Sequence, residues 1–188
     1  FRLCPTEGPC TDVVLDDDAD PTLANRAYLR PLEPGRYTLS QVSSDPAVTT
    51  SIQCEEGMVV DESARRVTVD VFPGSLQGCT FTNHVPTIVV RHDTSPNSSV
   101  DVTYTLCPVA GGPCTTAVLD DDTNATRSST ATFADLALGA YTVTQTPVAG
   151  HVLQQVSCTN DETGDAASGQ ATITLTAGEL SACTFLST

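Results

Sequence analysis

Residues 139–145 read Gly-Ala-Tyr-Thr-Val-Thr-Gln, and residues 35–41, which lie 104 positions earlier, read Gly-Arg-Tyr-Thr-Leu-Ser-Gln. The same interval separates residues 118–122 from residues 14–18, and both of these segments read Val-Leu-Asp-Asp-Asp. Chance does not produce matches of this length at a single spacing. The 188-residue chain therefore contains an internal duplication, and each copy has the size of a small domain.

The local patterns within each copy are those of β-strands. Apolar and polar residues alternate along residues 66–71, 99–106 and 171–175, as in strands that bury one face. No window of about twelve residues carries the apolar stripe of an amphipathic helix. These patterns predict an all-β fold of two tandem immunoglobulin-like β-sandwiches, each with about seven short strands.

The repeat also predicts the domain boundaries. We expect a first sandwich over residues 1–83, a linker over residues 84–86 and a second sandwich over residues 87–188. Because the linker is short and ends in proline, we expect the two domains to form a stiff rod.

The first copy lacks the opening segment of the second copy. By register, Phe1 corresponds to Tyr104, and residues 84–103, which precede Tyr104 and include the β-prone residues 87–91, have no counterpart. We therefore expect the first sandwich to lack its opening strand and to expose an unpaired edge and an apolar groove. The missing strand would lie earlier in a longer tandem array, or a neighbouring molecule would supply it.

Eight cysteines follow the same repeat. They are Cys4, Cys10, Cys54, Cys79, Cys107, Cys114, Cys158 and Cys183. None of them has the Cys-x-x-Cys spacing of zinc or thioredoxin-like sites. An even number of cysteines in an acidic chain rich in threonine and serine indicates disulfide bonds and an oxidising compartment, so we expect an extracellular or cell-surface location.

The strand pattern favours one pairing of these cysteines. In residues 156–158 and 183–185, each cysteine shares a strand face with an apolar residue of the core, so Cys158 and Cys183 are expected to point inward and to pair. Cys54–Cys79 is the copy of this bond. The remaining pairs, Cys4–Cys10 and Cys107–Cys114, would each close a tight loop that contains proline and glycine. Other connectivities stay open at this point.

The charge of the chain excludes several classes of partner. The net charge is −15, and all eight basic residues are arginine, so the chain contains no lysine. Such a surface repels phosphate backbones and anionic lipids, so no nucleic-acid partner is predicted. No apolar run is long enough to cross a bilayer, so no membrane insertion is predicted.

Five segments carry a resemblance to a known family. They are residues 87–94 (TIVVRHDT), 96–97 (PN), 119–122 (LDDD), 136–145 (LALGAYTVTQ) and 183–185 (CTF). They resemble prealbumin-like-fold surface domains, relatives of the Cna B-type and SpaA-like modules of bacterial adhesins and pili. The resemblance covers nearly all of the second repeat and most of the first. It implies prealbumin-like β-sandwiches that are repeated outside the cell in stalks, fibres or adhesins.

The chain departs from this family at one chemical feature. Many of these domains carry a Lys–Asn isopeptide bond that is assisted by a buried acidic residue. Asn83 falls near the position of the family's asparagine, its repeat partner is Ser187, and Gln41 and Gln145 stand where the family has glutamate. Without lysine this bond cannot form, so we expect the disulfides to take over the task of tying the strands together.

Two acidic runs are candidate metal ligands. Alternate side-chain oxygens in a loop suit Ca²⁺. The candidate ligands are Asp16, Asp18 and Asp20 in the first copy, and Asp120, Asp122 and Asn124 in the second. The sixth and twelfth positions of both runs fail the EF-hand pattern, and a solvated acidic turn is the favoured interpretation. No other cofactor is predicted.

Nothing in the sequence predicts an active site. Consecutive aspartates on loops that we expect to be exposed offer no pair of carboxyl groups in contrasting environments. His84, His92 and His151 have no repeat partners and no metal-ligand spacing, so they are expected at the surface. The chain is therefore predicted not to be an enzyme. Asn97 and Asn124 begin N-glycosylation sequons on predicted loops.

The expected function is a structural module of an extracellular fibre, pilus or surface stalk, which is stabilised by disulfides and assembled end to end. The alternative is an adhesin or a ligand-binding module of a cell-surface protein. Loops of nearly equal length in the two copies favour the first. The expected partners are copies of the chain or neighbouring repeats, which would add a strand to the open edge of residues 1–83.

Overall fold

A computed structural model of the chain describes residues 1–16, 22–42, 45, 47–122, 124, 126–160 and 162–188. These residues form an all-β fold, as predicted, and none of them belongs to a helix. A helix of the length and hydropathy that a membrane span requires is therefore not found in the described part of the chain.

The described residues form sixteen strands. They are β1 (Arg2–Pro5), β2 (Thr11–Asp12), β3 (Gly35–Ser40), β4 (Thr49–Cys54), β5 (Val59–Asp61), β6 (Arg66–Val71), β7 (Cys79–His84), β8 (Thr87–Thr94), β9 (Val102–Pro108), β10 (Thr115–Leu119), β11 (Thr130–Phe133), β12 (Gly139–Gln145), β13 (Leu153–Cys158), β14 (Thr163–Asp165), β15 (Gln170–Leu175) and β16 (Leu180–Ser187).

The chain divides into two compact units. The first comprises Phe1–Pro46 and Thr50–Asn83, and the second comprises Ala47–Thr49 and His84–Thr188. The expected linker at residues 84–86 stays a prediction.

The second unit consists of two sheets. One has the strand order β10-β9-β12-β15-β14, and the other has the order β11-β8-β16-β13. All neighbours are antiparallel except β8 and β16, which run parallel in continuous register from the Thr87–Leu180 pair to the Thr94–Ser187 pair. The first and last strands of this unit are therefore side by side and point in the same direction.

Residues from both sheets share one core in the second unit. Alternation along each strand directs every second side chain inward, as in β8, where Ile88 and Val90 are fully buried. The tyrosine of the repeated seven-residue pattern, Tyr141, is also buried. Tyr104 and Phe185 form an edge-to-face pair at the centre, with ring centroids 5.1 Å apart.

The first unit repeats this architecture without two strands. Its main sheet has the order β2-β1-β3-β6-β5, which matches the five-stranded sheet of the second unit, and a separate pair is formed by β4 and β7. The counterpart of β11, residues 26–29, is described but is not a strand, and within the described residues β7 has no neighbour on the side opposite β4.

The open side of β7 has a direct effect on the core of the first unit. Phe81 and Cys79 are only half-buried, whereas their counterparts Phe185 and Cys183 are fully buried. Phe1 packs edge-to-face on Phe81 at 5.1 Å, the same distance as in the Tyr104–Phe185 pair. Both units thus contain the edge-to-face aromatic pair, but the pair is fully buried only in the second unit.

Four disulfide bonds hold the strands, and they are the predicted pairs Cys4–Cys10, Cys54–Cys79, Cys107–Cys114 and Cys158–Cys183. No described cysteine is free. Cys158 and Cys183 lie directly opposite each other on β13 and β16, so this bond ties the last strand of the second unit to its outer neighbour. Cys54–Cys79 ties β4 to β7 in the same way.

The two kinds of disulfide are expected to differ in their effect on stability. Replacing both cysteines of Cys158–Cys183 with alanine should lower the free energy of unfolding by about 3.5 kcal/mol, because this bond closes the longer loop in the unfolded chain. The same change at Cys107–Cys114 should lower it by about 2.4 kcal/mol. Urea unfolding without reductant measures both values, and equal losses would contradict an entropic origin.

Candidate functional site

The core of the second unit contains a connected group of polar side chains. Gln145, which ends the repeated pattern, donates hydrogen bonds from its amide nitrogen to the hydroxyl oxygens of Tyr104 (3.3 Å) and Ser187 (3.4 Å). The Tyr104 hydroxyl also lies 2.8 Å from Nδ1 of His92 on β8. All four side chains are buried, so we refer to them as the core polar cluster.

The Tyr104 hydroxyl connects the other members of this cluster. Burial raises the pKa of Tyr104, so its hydroxyl stays protonated. The tyrosine oxygen accepts a hydrogen bond from Gln145 and forms a second one with Nδ1 of His92, in which the tautomer of the imidazole sets the donor. Burial lowers the pKa of His92 and favours its neutral form, and its Nε2 has no hydrogen-bond partner among the described residues.

The prediction that the histidines lie at the surface is wrong for His92, which is 3% exposed. Burial is the largest influence on this imidazole and lowers its pKa, and the neighbouring His151 acts in the same direction, while nearby carboxylates oppose them. The signal for this burial was present in the sequence, because His92 continues the alternation of Ile88 and Val90 along one strand face.

The first unit carries a smaller version of the same cluster. Gln41 donates a hydrogen bond from Nε2 to Oδ1 of Asn83 (2.9 Å), and Thr50 donates to that same oxygen at 2.9 Å. The positions that correspond to the asparagine and to the assisting glutamate of the resembled family are therefore in contact here, as Asn83 with Gln41 and as Ser187 with Gln145.

A cavity opens next to the core polar cluster. It has a volume of about 390 Å³ and is lined by His92, Gln145 and Ser187 on its polar side, and by residues such as Val148 and Leu153 on its apolar side. The cavity lies entirely within the second unit.

In the acidic run of the second copy, Asp121 joins two segments of the chain by hydrogen bonds. Asp121 accepts hydrogen bonds from the backbone N–H of Thr94 (2.5 Å), the hydroxyl of Thr94 (2.6 Å) and the backbone N–H of Ser98 (3.0 Å). Burial alone would raise the pKa of Asp121, but these hydrogen bonds hold it below its ordinary value. Asp121 thus fixes the end of β8 to the loop that follows β10.

The expectation of an exposed acidic loop is therefore wrong for Asp120 and Asp121, which are 3% and 9% exposed. Their burial follows from the sheet, because β10 directs this part of the chain against the end of β8 instead of into solvent. Asp120 also has a carboxylate oxygen, Oδ1, that is buried without a hydrogen-bond partner.

The remaining predicted calcium ligands form bonds within their own turn. Asp122 accepts hydrogen bonds from the backbone N–H of Asn124 at 2.8 Å and from the Asn124 side-chain amide. In the first copy, Asp16 is described, whereas Asp18 and Asp20 lie outside the described residues. Calcium binding at these runs stays a prediction.

One other group of side chains has metal-ligand spacing within the described ranges, namely Cys158, Glu162 and Cys183. Both of these sulfurs belong to a disulfide bond, so neither is the thiolate that a metal requires.

The two glycosylation sequons lie beside the acidic run. The Asn97 amide nitrogen donates to the backbone oxygen of Asp121 at 2.9 Å, and the Asn124 amide nitrogen donates to Asp122. Both side chains are exposed. A glycan on either asparagine would leave its amide nitrogen one hydrogen to donate, and modification stays a prediction.

The buried neutral imidazole of His92 predicts a pH dependence of stability. Because its pKa in the folded chain is below the ordinary value of about 6.5, the unfolded chain takes up a proton first as the pH falls. Stability should therefore be lost as the pH falls from 7.5 to 5.0. The urea midpoint measures this loss, which should be smaller in His92→Gln but unchanged in His84→Gln. A pH-independent midpoint for the wild type would refute the assignment.

The hydrogen bonds of Asp121 predict that Asp121 and Asp122 contribute unequally to stability. Asp121→Asn should lower the free energy of unfolding by about 1.5–3 kcal/mol, because a buried acceptor of three hydrogen bonds becomes partly a donor. Asp122→Asn, in the exposed turn, should change it by less than about 0.5 kcal/mol. Urea unfolding with and without EDTA measures both, and EDTA should have no effect. A larger loss for Asp122→Asn, together with a loss of wild-type stability in EDTA that added Ca²⁺ restores, would show a metal site instead.

Comparisons with known proteins find matches to a family model and to solved structures. A family model described as a prealbumin-like fold domain matches residues 89–188. Similar solved structures include a bacterial adhesin from Mobiluncus mulieris containing intramolecular disulfide, isopeptide and ester bond cross-links, in two crystal forms. Both are 12% identical with a TM-score of 0.39, covering 62% and 67% of this chain.

The adhesin similarity is too low to carry an argument about function, and this chain spans less than half of the adhesin chain, 46% and 45% in the two forms. No curated protein matches the sequence. The family match covers more than half of the 188 residues and includes β12 and β16, whose repeated patterns carried the resemblance. The chain belongs to the family of prealbumin-like fold domains.

Proposed function

We propose that this chain is a load-bearing structural module of an extracellular fibre, pilus or surface stalk. The observation that carries the proposal is the parallel pairing of β8 with β16, the first and last strands of the second unit, over eight residue pairs. When the two ends of this unit are pulled apart, two parallel neighbours slide past each other, so all hydrogen bonds between them are loaded at once.

The disulfides extend this resistance. Cys158–Cys183 joins β16 to β13 on the side opposite β8, so β16 cannot peel away from the sheet even after β8 has been displaced. The chain between these cysteines stays folded back as a closed loop under load. The same bond in the first unit, Cys54–Cys79, protects β7 in the same way.

Disulfides also support the extracellular location. All eight cysteines are bonded, and such bonds persist outside the cell and are reduced in most cytosols. The absence of a free thiol removes one class of nucleophile, and the buried His92 holds Tyr104 through Nδ1 instead of activating a nucleophile. These features support a non-catalytic role.

A second candidate function is a ligand-binding or adhesive module of a surface protein. The observation in its favour is the cavity beside the core polar cluster, which combines apolar walls with His92 and Gln145. A low unfolding force of the second unit, together with saturable binding of a small ligand at this cavity, would favour this function over the first.

We also propose that the first unit is completed by a strand from outside residues 1–83. Its support is the half-buried state of Phe81 and Cys79 on β7, whose counterparts become fully buried when β8 is present. A strand from a neighbouring repeat or from another copy would close this edge, and it would give the first unit the same pairing of terminal strands as the second.

The load-bearing proposal predicts that resistance depends on the direction of pulling. Single-molecule force spectroscopy through the two chain ends loads the β8–β16 pair in shear. A handle at residue 97 and a handle at residue 188 lie at the same end of this pair, because Thr94 is opposite Ser187, and they separate the strands one bond at a time. The second unit should unfold at a severalfold lower force in the latter geometry.

Equal unfolding forces in the two pulling geometries would refute the load-bearing proposal. Reduction is the internal control, since opening the loop of 25 residues at Cys158–Cys183 should lengthen the extended chain by about 90 Å. Opening the loop of 7 residues in the Cys107→Ala/Cys114→Ala variant should add only about 25 Å.

A further inference from the structure

The disulfide Cys158–Cys183 has a third potential metal ligand beside it. Cys158 on β13 and Cys183 on β16 lie directly opposite each other, with their Cα atoms 4.1 Å apart. Glu162 lies in the segment between β13 and β14, and one of its carboxylate oxygens and the two sulfurs are all within 4.8 Å of one another. We refer to these three residues as the Cys–Cys–Glu group. Its sulfurs can bind a metal only after the disulfide between them is reduced to thiols.

The carboxylate of Glu162 has one oxygen that is held in place and one that is not. Its Oε1 accepts a hydrogen bond from the hydroxyl of the fully buried Ser181 at 2.9 Å. Its Oε2 is buried and forms no hydrogen bond within the described part of the chain, although the backbone N–H of Thr174 is near this carboxylate. A buried polar atom without a partner is uncommon and calls for an explanation. A bound cation would supply the missing partner.

The segment that carries Glu162 is held next to the two cysteines by the backbone. The backbone N–H of Thr159 donates to the oxygen of Ala182 at 2.9 Å, and the N–H of Ala182 donates to Oγ1 of Thr159 at 2.9 Å. On the other side of Glu162, Gly164 packs so closely on β13 that a Cβ atom there would lie 2.6 Å from Cγ1 of Val156. These contacts fix the segment at both ends, so the disulfide is not the only link between Glu162 and the cysteines.

The first unit has a related group at the same position of the repeat. Met58, which lies 104 positions before Glu162, is the only methionine of the chain. Its Sδ lies 3.3 Å from Sγ of Cys79, which belongs to the Cys54–Cys79 disulfide. Both copies therefore place a side chain with a metal-ligating atom against the same disulfide. The copies differ in that atom, which is a thioether sulfur in the first unit and a carboxylate oxygen in the second.

Two thiolates and a carboxylate are a ligand set that suits Zn²⁺. In a tetrahedral site with Zn–S distances of about 2.3 Å and Zn–O distances of about 2.0–2.2 Å, the ligand atoms are about 3.3–3.8 Å apart. The three atoms of the Cys–Cys–Glu group are already close to this spacing. The net charge of −15 also attracts divalent cations. A thioether is not among the usual zinc ligands, so the group that contains Met58 should bind Zn²⁺ more weakly.

We infer that the reduced second unit binds one Zn²⁺ ion through Cys158, Cys183 and Glu162, and that this ion then joins β13 to β16 in place of the disulfide. Reduction adds two electrons and two protons from a dithiol, which is oxidised to its own disulfide. Each thiol releases its proton to solvent as its sulfur binds zinc, Oε2 of Glu162 forms the third bond, and water takes the fourth position. The ion and the disulfide exclude each other, so bound zinc should slow reoxidation of this pair.

Titration of the reduced full chain with Zn²⁺ tests this site. A phosphine is the suitable reductant, because a dithiol would itself compete for zinc. Zn²⁺ should raise the melting temperature, because it binds the folded chain. Glu162→Gln should weaken zinc binding at least about tenfold, as measured by competition with a chromophoric chelator, since even residues that only support metal ligands have effects of this size. Glu56→Gln, an equal charge change at an exposed residue of the first unit, should leave the affinity unchanged.

Further variants separate this site from the other reduced cysteines. Cys158→Ala/Cys183→Ala should lose the stabilisation by zinc, whereas Cys107→Ala/Cys114→Ala should retain it. Met58→Glu should give the chain a second tight zinc site, because it reproduces the same ligand set in the first unit. If the reduced chain is unfolded without metal, recovery of the β-sheet circular dichroism on addition of Zn²⁺ replaces the melting temperature, and the same order of variants is expected.

Equal zinc affinity of the wild type and Glu162→Gln would exclude Glu162 as a ligand and overturn the inference. Stabilisation by zinc that persists in Cys158→Ala/Cys183→Ala would place the ion on other cysteines, with the same consequence. A reduced wild type that does not respond to Zn²⁺, or a Met58→Glu variant that gains no site, would also contradict it. None of these results bears on the load-bearing proposal, which concerns the oxidised chain and is tested by the pulling geometry.

Discussion

The pairing of β8 with β16 is the interaction on which the second unit depends. Eight consecutive residue pairs join the two ends of the sequence repeat, and they bring Ile88 and Val90 over the same core as Phe185. With β8 in place, Cys183 and Phe185 lose all contact with solvent. The first unit, in which this neighbour is missing, keeps the same aromatic pair and the same disulfide, yet its final strand stays half-open.

The polar chemistry of the core follows from this pairing. Gln145 and Ser187 meet because β12 and β16 belong to facing sheets, and β8 adds His92 to the group through the Tyr104 hydroxyl. Hydrogen bonds join the strands inside the core, and disulfides join the outer strands, so the covalent cross-links between strands in the described residues depend on oxidation.

The sequence allowed the all-β fold, the duplication and the cysteine pairing to be predicted, because each was encoded twice at one spacing or by local alternation. His92 and Asp121 were misjudged for the opposite reason. His92 has no copy in the first repeat, and the partners of Asp121, Thr94 and Ser98, are distant in sequence. The burial of Asp121 depends on which strands become neighbours, and local patterns do not specify this. The burial of His92 could have been predicted from the alternation of β8, which it continues.

The parallel pairing of terminal strands also sets the order in which the second unit can fold. Thr87 cannot find its partner Leu180 until nearly the whole unit has been synthesised, since contacts so distant in sequence form late. β8 is the first strand of this unit to be synthesised and has no neighbour on the β16 side until the last strand follows. The step that closes the sheet therefore comes at the same stage as the appearance of Cys183, the partner of Cys158.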